Sequence, residues 1–206
     1  MPAPNRVTPF GTIEALAQRG LFLGNRGVLH VRPRELARPW QVRRWITCAL
    51  HYKGWRAPQW EPRRWTPLFF WDEAVALAAG HRPCALCRHR DFVRWLDGWE
   101  AAHGDRPRVD PMDRVLHADR LDGRTPRRHT EPWRDLPTGT YVTVGEPGRA
   151  TAALVLDDRL VPWSASGYGP ATDRPTTGDA TVLTPRATVS VLRAGYVPVI
   201  HPAGGR

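Results

Sequence analysis

Two cysteines spaced two residues apart, Cys84 and Cys87, constrain this chain of 206 residues more than any other feature. They follow residues 72–80, which predict a short helix with Asp72 as its N-terminal cap and Gly80 at its end. Two thiolates on a tight turn after a helix form half of a typical tetrahedral zinc site. A redox pair would instead open a helix directly after a buried strand, and inert buried thiols are the other alternative. We expect zinc.

The other half of the site must come from elsewhere in the chain. The third and last cysteine is Cys48, and His51 follows it at a similar spacing. Three thiolates and one imidazole are a closed ligand set for structural zinc. His81 and His89 are the alternative fourth ligands. His51 is favoured because it follows Cys48 at the same spacing at which Cys87 follows Cys84. The predicted ligands of Zn²⁺ are Cys48, His51, Cys84 and Cys87.

Basic residues are concentrated near one region of the chain. The formal net charge is +10, and only Lys53 among the 30 basic residues is a lysine, a bias that partly reflects a GC-rich coding sequence. Residues 25–64, here called the basic segment, combine ten basic residues with two acidic ones and four tryptophans. Arginines interleaved with aromatic residues favour phosphate contacts and base stacking, with Trp55 and Trp60 as stacking candidates. The predicted contacts to a nucleic acid backbone, with DNA favoured, are Arg43, Arg44, Arg56, Arg63, Arg64 and Arg82.

The alternative interpretation of the basic segment is a solvated face whose tryptophans lie in the core. Three cysteines are too few for a secreted disulfide framework, and the N-terminus has no apolar signal core. No apolar run approaches the ~20 residues of a membrane helix. We therefore expect a cytoplasmic protein without a membrane partner.

The hydrophobic patterns predict an α+β protein in two parts. Residues 1–107 would form a zinc-stabilised α+β domain, with a second helix over 91–102. Residues 108–206 would form a β-rich domain that includes a short helix from about Thr184 and a final strand over 196–201. Between the two, residues 104–138 are expected to be a loop.

The segment from Phe69 to Cys87 resembles the zinc-binding module of the Ada family, and the resemblance covers about residues 45–90. The matching positions are Phe70, Ala74, Ala79, Gly80, Arg82, Pro83, Cys84 and Cys87. The resemblance implies a zinc-stabilised fold that contacts the DNA backbone. In the DNA-repair members a zinc-bound cysteine accepts a methyl group from a damaged phosphate, and Cys48 is the position here that would inherit this role.

A second candidate site lies in the predicted loop. The stretch that begins at Asp113 contains a histidine that could act as a base, a carboxylate that could orient it and an arginine that could stabilise developing negative charge. Such a set would suit phosphodiester chemistry. The alternative is a solvated loop with local ion pairs. The candidate catalytic residues are His117, Asp119, Arg120 and His129. The sequence thus leaves three hypotheses: a nucleic-acid-binding zinc protein, an enzyme acting on nucleic acid, or a zinc-stabilised adaptor for a protein partner of unknown identity.

Overall fold

A six-stranded sheet organises the N-terminal half of the protein. The computed structural model describes residues 1–57, 59–146 and 148–202. The strands are β1 (Arg6–Val7), β2 (Ile13–Glu14), β3 (Phe22–Asn25), β4 (His30–Arg32), β5 (Glu35–Leu36), β6 (Ile46–Ala49), β7 (Leu68–Phe70) and β8 (Arg82–Pro83). The sheet order is β2-β1-β7-β3-β6-β8, and β4 and β5 form a separate hairpin. The parallel pairing of β6 with β8 brings two distant segments side by side.

An antiparallel sheet organises the C-terminal half. The strands are β9 (Leu121–Asp122), β10 (Thr125–Pro126), β11 (His129–Pro132), β12 (Tyr141–Val144), β13 (Thr151–Leu156), β14 (Arg159–Ser164), β15 (Gly167–Tyr168), β16 (Thr172–Asp173) and β17 (Asp179–Val182). The sheet order is β11-β17-β12-β13-β14-β15, with β16 also paired to β14, and β9 and β10 form a separate hairpin. A 3-10 helix covers Trp133–Asp135.

The helices are α1 (Glu73–Ala78), α2 (His89–His103), α3 (Val109–Arg120) and α4 (Arg186–Arg193). The Asp72 carboxylate accepts a hydrogen bond from the Val75 N–H at 2.9 Å, and Gly80 follows α1 with a φ of +80°, so the predicted cap and stop are confirmed. Among the described residues, none of the helices is long and apolar enough to cross a membrane. The predicted α+β class with a short C-terminal helix is confirmed.

Two predictions about local structure were wrong. The loop expected over 104–138 contains α3, whose buried Met112 and Leu116 lie one turn apart among charged residues that hid the helical period. The final strand expected over 196–201 is absent, and this segment is instead held to α1 by hydrogen bonds to Asp72 and Glu73. Both errors have the same source, since contacts distant in sequence decided the local conformation.

One hydrophobic core joins the two halves. Every residue of α1 is buried, and Ala74 and Val75 belong to the same cluster as Tyr141 and Leu154 from the C-terminal sheet. A second cluster packs α2 and α3 against α4. The division of the chain into two domains after residue 107 stays a prediction, because it depends on whether each part folds independently.

Candidate metal centre

Three cysteine sulfurs converge where β6 meets the turn between β8 and α2. The Sγ atoms of Cys48, Cys84 and Cys87 all lie within 4.8 Å of one another. Cys48 belongs to β6, and the Cys84 N–H donates to the carbonyl of Thr47 at 2.9 Å, which extends the β6–β8 pairing to the turn. Sheet pairing therefore places the third thiol opposite the Cys-x-x-Cys turn.

Backbone N–H groups are directed at these sulfurs. The Ala49 N–H donates to Sγ of Cys87 at 3.4 Å, and the N–H groups of Leu86 and Cys87 donate to Cys84. Hydrogen bonds from the thiols of Cys48 and Cys87 lower the pKa of Cys84 to about 2, whereas donating to these neighbours raises the pKa of Cys48. The backbone donors therefore favour a thiolate at Cys84, whereas the pKa of the Cys48 and Cys87 thiols is raised.

The donor set fits a thiolate-preferring metal. All three cysteines are free, Cys84 is buried, and the other two are half-buried. In a tetrahedral site with Zn–S bonds of about 2.3 Å, neighbouring sulfurs lie about 3.8 Å apart. This distance is consistent with three Sγ atoms that all lie within 4.8 Å of one another. Among the described residues, this is the one group of three or more Cys, His, Asp or Glu side chains suited to a metal ion.

The predicted fourth ligand does not belong to this group. His51 is exposed in the segment after β6, and its role as a ligand stays a prediction. The two competing histidines have other contacts. His81 is buried and accepts from Nε of Arg26 at 3.2 Å, while Nδ1 of the exposed His89 lies 3.1 Å from the carbonyl of Ala85.

Protein-family models, curated proteins and solved structures were compared with the chain, and none matches it. The structure supports a site of three cysteines for a metal ion. It is the geometry of that site, rather than similarity to a known protein, that supports the metal.

The predicted nucleic acid contacts divide into two groups. Arg82 is buried and its guanidinium donates to both carboxylate oxygens of Asp113, at 2.8 and 2.7 Å, so its contact with nucleic acid stays a prediction without support from its geometry. The remaining arginines are exposed, although Arg44 pairs with Asp110 at 3.0 Å. The exposed arginines are Arg43, Arg44, Arg56, Arg63 and Arg64.

The predicted catalytic residues are dispersed among structural contacts. The ring of His117 packs on Trp40, with centroids 4.7 Å apart, and Asp119 accepts from the Ala187 N–H at the start of α4. Arg120 is buried and donates to the carbonyl of Gly80 at 2.7 Å, and His129 lies in β11 at 3.1 Å from the carboxylate of its neighbour Glu131. Catalysis by these residues stays a prediction without support from their geometry.

A pocket between the two halves was missed by the sequence analysis. It has a volume of about 530 Å³ and is lined by Arg26, Trp45 and Arg120, among others. The sequence places Arg120 in the candidate catalytic cluster but does not show that Arg120 or Arg26 is buried, because their burial depends on which distant segments cover them. A weak signal was Trp45, whose indole contacts both guanidinium groups.

Proposed function

We propose that the protein binds one zinc ion through Cys48, Cys84 and Cys87, and that the ion fastens β6 to the start of α2. The convergence of three thiols from two separate segments is the observation that carries this proposal. Thiolate ligands favour zinc over harder cations, and structural zinc contributes its binding free energy to folding. His51 is the proposed fourth ligand. It would reach the metal through a change in the conformation of the exposed segment that follows β6.

The test is the zinc content and stability of purified variants. Cys84→Ser should reduce bound zinc from about one ion per chain to none and destabilise the protein by several kcal/mol, because the metal's binding energy is lost. Leu86→Ser is the matched control, since Leu86 is exposed in the same turn and donates through its backbone only. Elemental analysis and urea unfolding give the two readouts. Full zinc occupancy in Cys84→Ser would contradict the proposal.

Cobalt substitution tests the fourth ligand separately. The visible spectrum of bound Co²⁺ reports both the number of thiolates and the coordination geometry. His51→Ala should alter this spectrum and weaken zinc binding, whereas the matched change His89→Ala should leave both unchanged. Identical spectra for wild type and His51→Ala would show that the three cysteines bind the metal without this histidine.

The exposed part of the basic segment favours nucleic acid as a partner. Trp55 is 46% exposed and stacks on Trp65, with ring centroids 5.9 Å apart and planes inclined by 27°. The exposed indole of Trp55 suits base stacking, and the exposed Arg63 and Arg64, which have no ion pair among the described residues, suit phosphate contact; single-stranded DNA offers both. An Ada-like contact with the DNA backbone would use the same surface.

Salt dependence tests this second function. We expect the affinity for a labelled single-stranded oligonucleotide to fall steeply between about 50 and 200 mM salt, because cation release contributes to binding. Arg63→Gln/Arg64→Gln should weaken binding and reduce the salt slope by about two, and Arg134→Gln/Arg149→Gln, at two exposed arginines of the C-terminal half, is the charge-matched control. Fluorescence anisotropy measures both. Equal affinity at the two salt concentrations would exclude binding through arginine–phosphate contacts, and absence of binding at both would favour the adaptor hypothesis.

A further inference from the structure

The pocket of about 530 Å³ lies between the N-terminal sheet, α1 and the segments that flank β9 and β10. Aromatic and aliphatic side chains form much of its wall, among them Phe10, Ile13, Leu36, Trp40 and Trp45. None of the three cysteines lines it, so the pocket is separate from the candidate metal centre. Its walls suit a ligand with a flat apolar body.

The charge of the lining has a single sign. Six arginines and no acidic residue line the pocket within the described part of the chain: Arg26, Arg38, Arg120, Arg124, Arg127 and Arg128. Arg26 and Arg120 are 1% and 3% exposed, and their guanidinium groups lie 4.1 and 4.7 Å from the ring centroid of Trp45. A bound anion would meet two guanidinium groups deep in the pocket and others at its rim.

Neither deep guanidinium has an anionic partner. Among the described residues, no carboxylate forms an ion pair with Arg26 or Arg120; Arg120 donates to three backbone carbonyls. Burying a charge is costly, and desolvation lowers the pKa of each arginine to about 9, although Asp113 and Asp119 act on Arg120 in the opposite direction without forming an ion pair with it. Two buried cations without a directly paired carboxylate suit a site that receives its counter-charge from a ligand.

Arg26 also has an unused donor. Its Nε donates to Nε2 of His81 at 3.2 Å and its Nη1 to the carbonyl of Gly11 at 3.1 Å. Its Nη2 is buried and has no acceptor among the described residues. Buried polar atoms in folded proteins nearly always have a partner, so this nitrogen marks the place of an absent acceptor.

We propose that this pocket binds a small organic anion, whose carboxylate or phosphate group pairs with Arg26 and Arg120 and whose planar apolar body packs against Trp40 and Trp45. The exposed Arg38 and Arg124 at the rim attract the anion and contribute less to its binding than Arg26 and Arg120 do. The proposal is independent of zinc and of nucleic acid. It assigns the buried cations a role that the fold alone leaves unexplained.

The first experiment compares matched probes by isothermal titration calorimetry in a phosphate-free buffer. Naphthoate and naphthyl phosphate carry the two head groups on the same aromatic body, naphthalenemethanol is the neutral analogue, and inorganic phosphate is the head group alone. At least one naphthyl anion should bind with a one-to-one stoichiometry and at least tenfold more tightly than both the neutral analogue and inorganic phosphate. The stronger of the two naphthyl anions identifies the head group. Absence of binding by both anions, or equal binding of the neutral analogue, would overturn the proposal.

Substitutions locate the site. Arg26→Met keeps an unbranched apolar side chain that reaches about as far as Nε and removes the guanidinium charge, and it should weaken binding of the anion at least tenfold while the melting temperature stays close to that of wild type. A purely structural Arg26 would give the opposite result, with reduced stability and unchanged affinity. If Arg26→Met does not fold, the exposed pair Arg38→Gln/Arg124→Gln decides, and a several-fold loss of affinity is expected. The control is Arg114→Gln/Arg149→Gln outside the pocket, and wild-type affinity in the rim variant would overturn the proposal.

Discussion

At the scale of single residues, His81 shows how burial sets the charge of a side chain. It is 1% exposed, lies between the rings of Phe70 and Trp45, and accepts a hydrogen bond from Arg26. Burial lowers the pKa of His81 well below its usual range, and the neighbouring Arg26 and Arg120 lower it further. The imidazole is therefore neutral in the folded protein at every pH near neutrality.

A neutral buried histidine makes stability depend on pH. In the unfolded chain His81 takes up a proton below about pH 6.5, whereas in the folded protein it does not. Stability is therefore fully present above this pH and falls by up to about 1.4 kcal/mol for each pH unit below it. His81→Gln should make the loss of stability between about pH 6.5 and 5.5 smaller by about 1 kcal/mol, because His81 of the unfolded chain goes from half protonated to almost fully protonated over this range.

Urea unfolding at the two pH values measures that difference. The dependence of the unfolding free energy on pH is compared between wild type and variants, because other groups, including the cysteine thiols, titrate in every one of these proteins. The exposed His103→Gln is the control and should keep the wild-type slope. The same slope in His81→Gln and wild type would show that His81 is protonated in the folded state.

At the scale of secondary-structure elements, the pair Arg82–Asp113 fastens α3 to β8. Both side chains are buried, and the guanidinium is held by two hydrogen bonds while it also faces the ring of Phe92 at 5.2 Å. The exposed pair Arg44–Asp110 joins the same region but is open to solvent. The two ion pairs therefore contribute differently to stability, because water screens only the Arg44–Asp110 pair.

Removing one member of the buried pair should be costly. Asp113→Asn leaves a buried guanidinium without its counter-charge and should destabilise the protein by about 3 kcal/mol. Asp110→Asn is the matched exposed control and should change stability by less than about 1 kcal/mol. Urea unfolding compares the two variants, and similar effects would mean that Arg82 finds another partner when Asp113 is neutral.

At the scale of the whole molecule, two adjacent carboxylates at the start of α1 join the halves. Asp72 accepts from the hydroxyl of Tyr168 at 2.6 Å, and Glu73 accepts from the hydroxyl of Tyr196 at 2.6 Å and from the Val199 N–H at 2.9 Å. Glu73 also pairs with the buried Arg88, one residue beyond the cysteine turn, at 2.8 Å. The C-terminal segment, α1 and the start of α2 thus share one polar network.

Disrupting this network should loosen the C-terminal segment. Glu73→Gln removes one of the two carboxylates paired with Arg88, which keeps Asp91 at 2.7 Å, and we expect a loss of about 2 kcal/mol together with faster amide exchange over residues 196–202. Glu100→Gln, which removes a carboxylate from an exposed ion pair, is the control and should have little effect. Hydrogen–deuterium exchange and urea unfolding give the two readouts. Unchanged exchange in Glu73→Gln would show that apolar contacts alone hold the segment.

The sequence by itself determined the features that depend on neighbouring residues. The Asp72 cap and the stop at Gly80 are local patterns, because a helix cap involves residues only a few positions apart. The spacing of Cys84 and Cys87 belongs here too, since a short turn can hold two sulfurs on one ion without help from the rest of the chain.

Only the tertiary structure decided which of many similar residues matter. Cys48 reaches the other cysteines because β6 pairs with β8, and Arg82 is buried against Asp113 while Arg63 remains in solvent. Arg26 and Arg120 line a pocket because segments distant in sequence close over them. Charge, burial and the presence of a partner depend on these long-range contacts, which a pattern of residues along the chain does not contain.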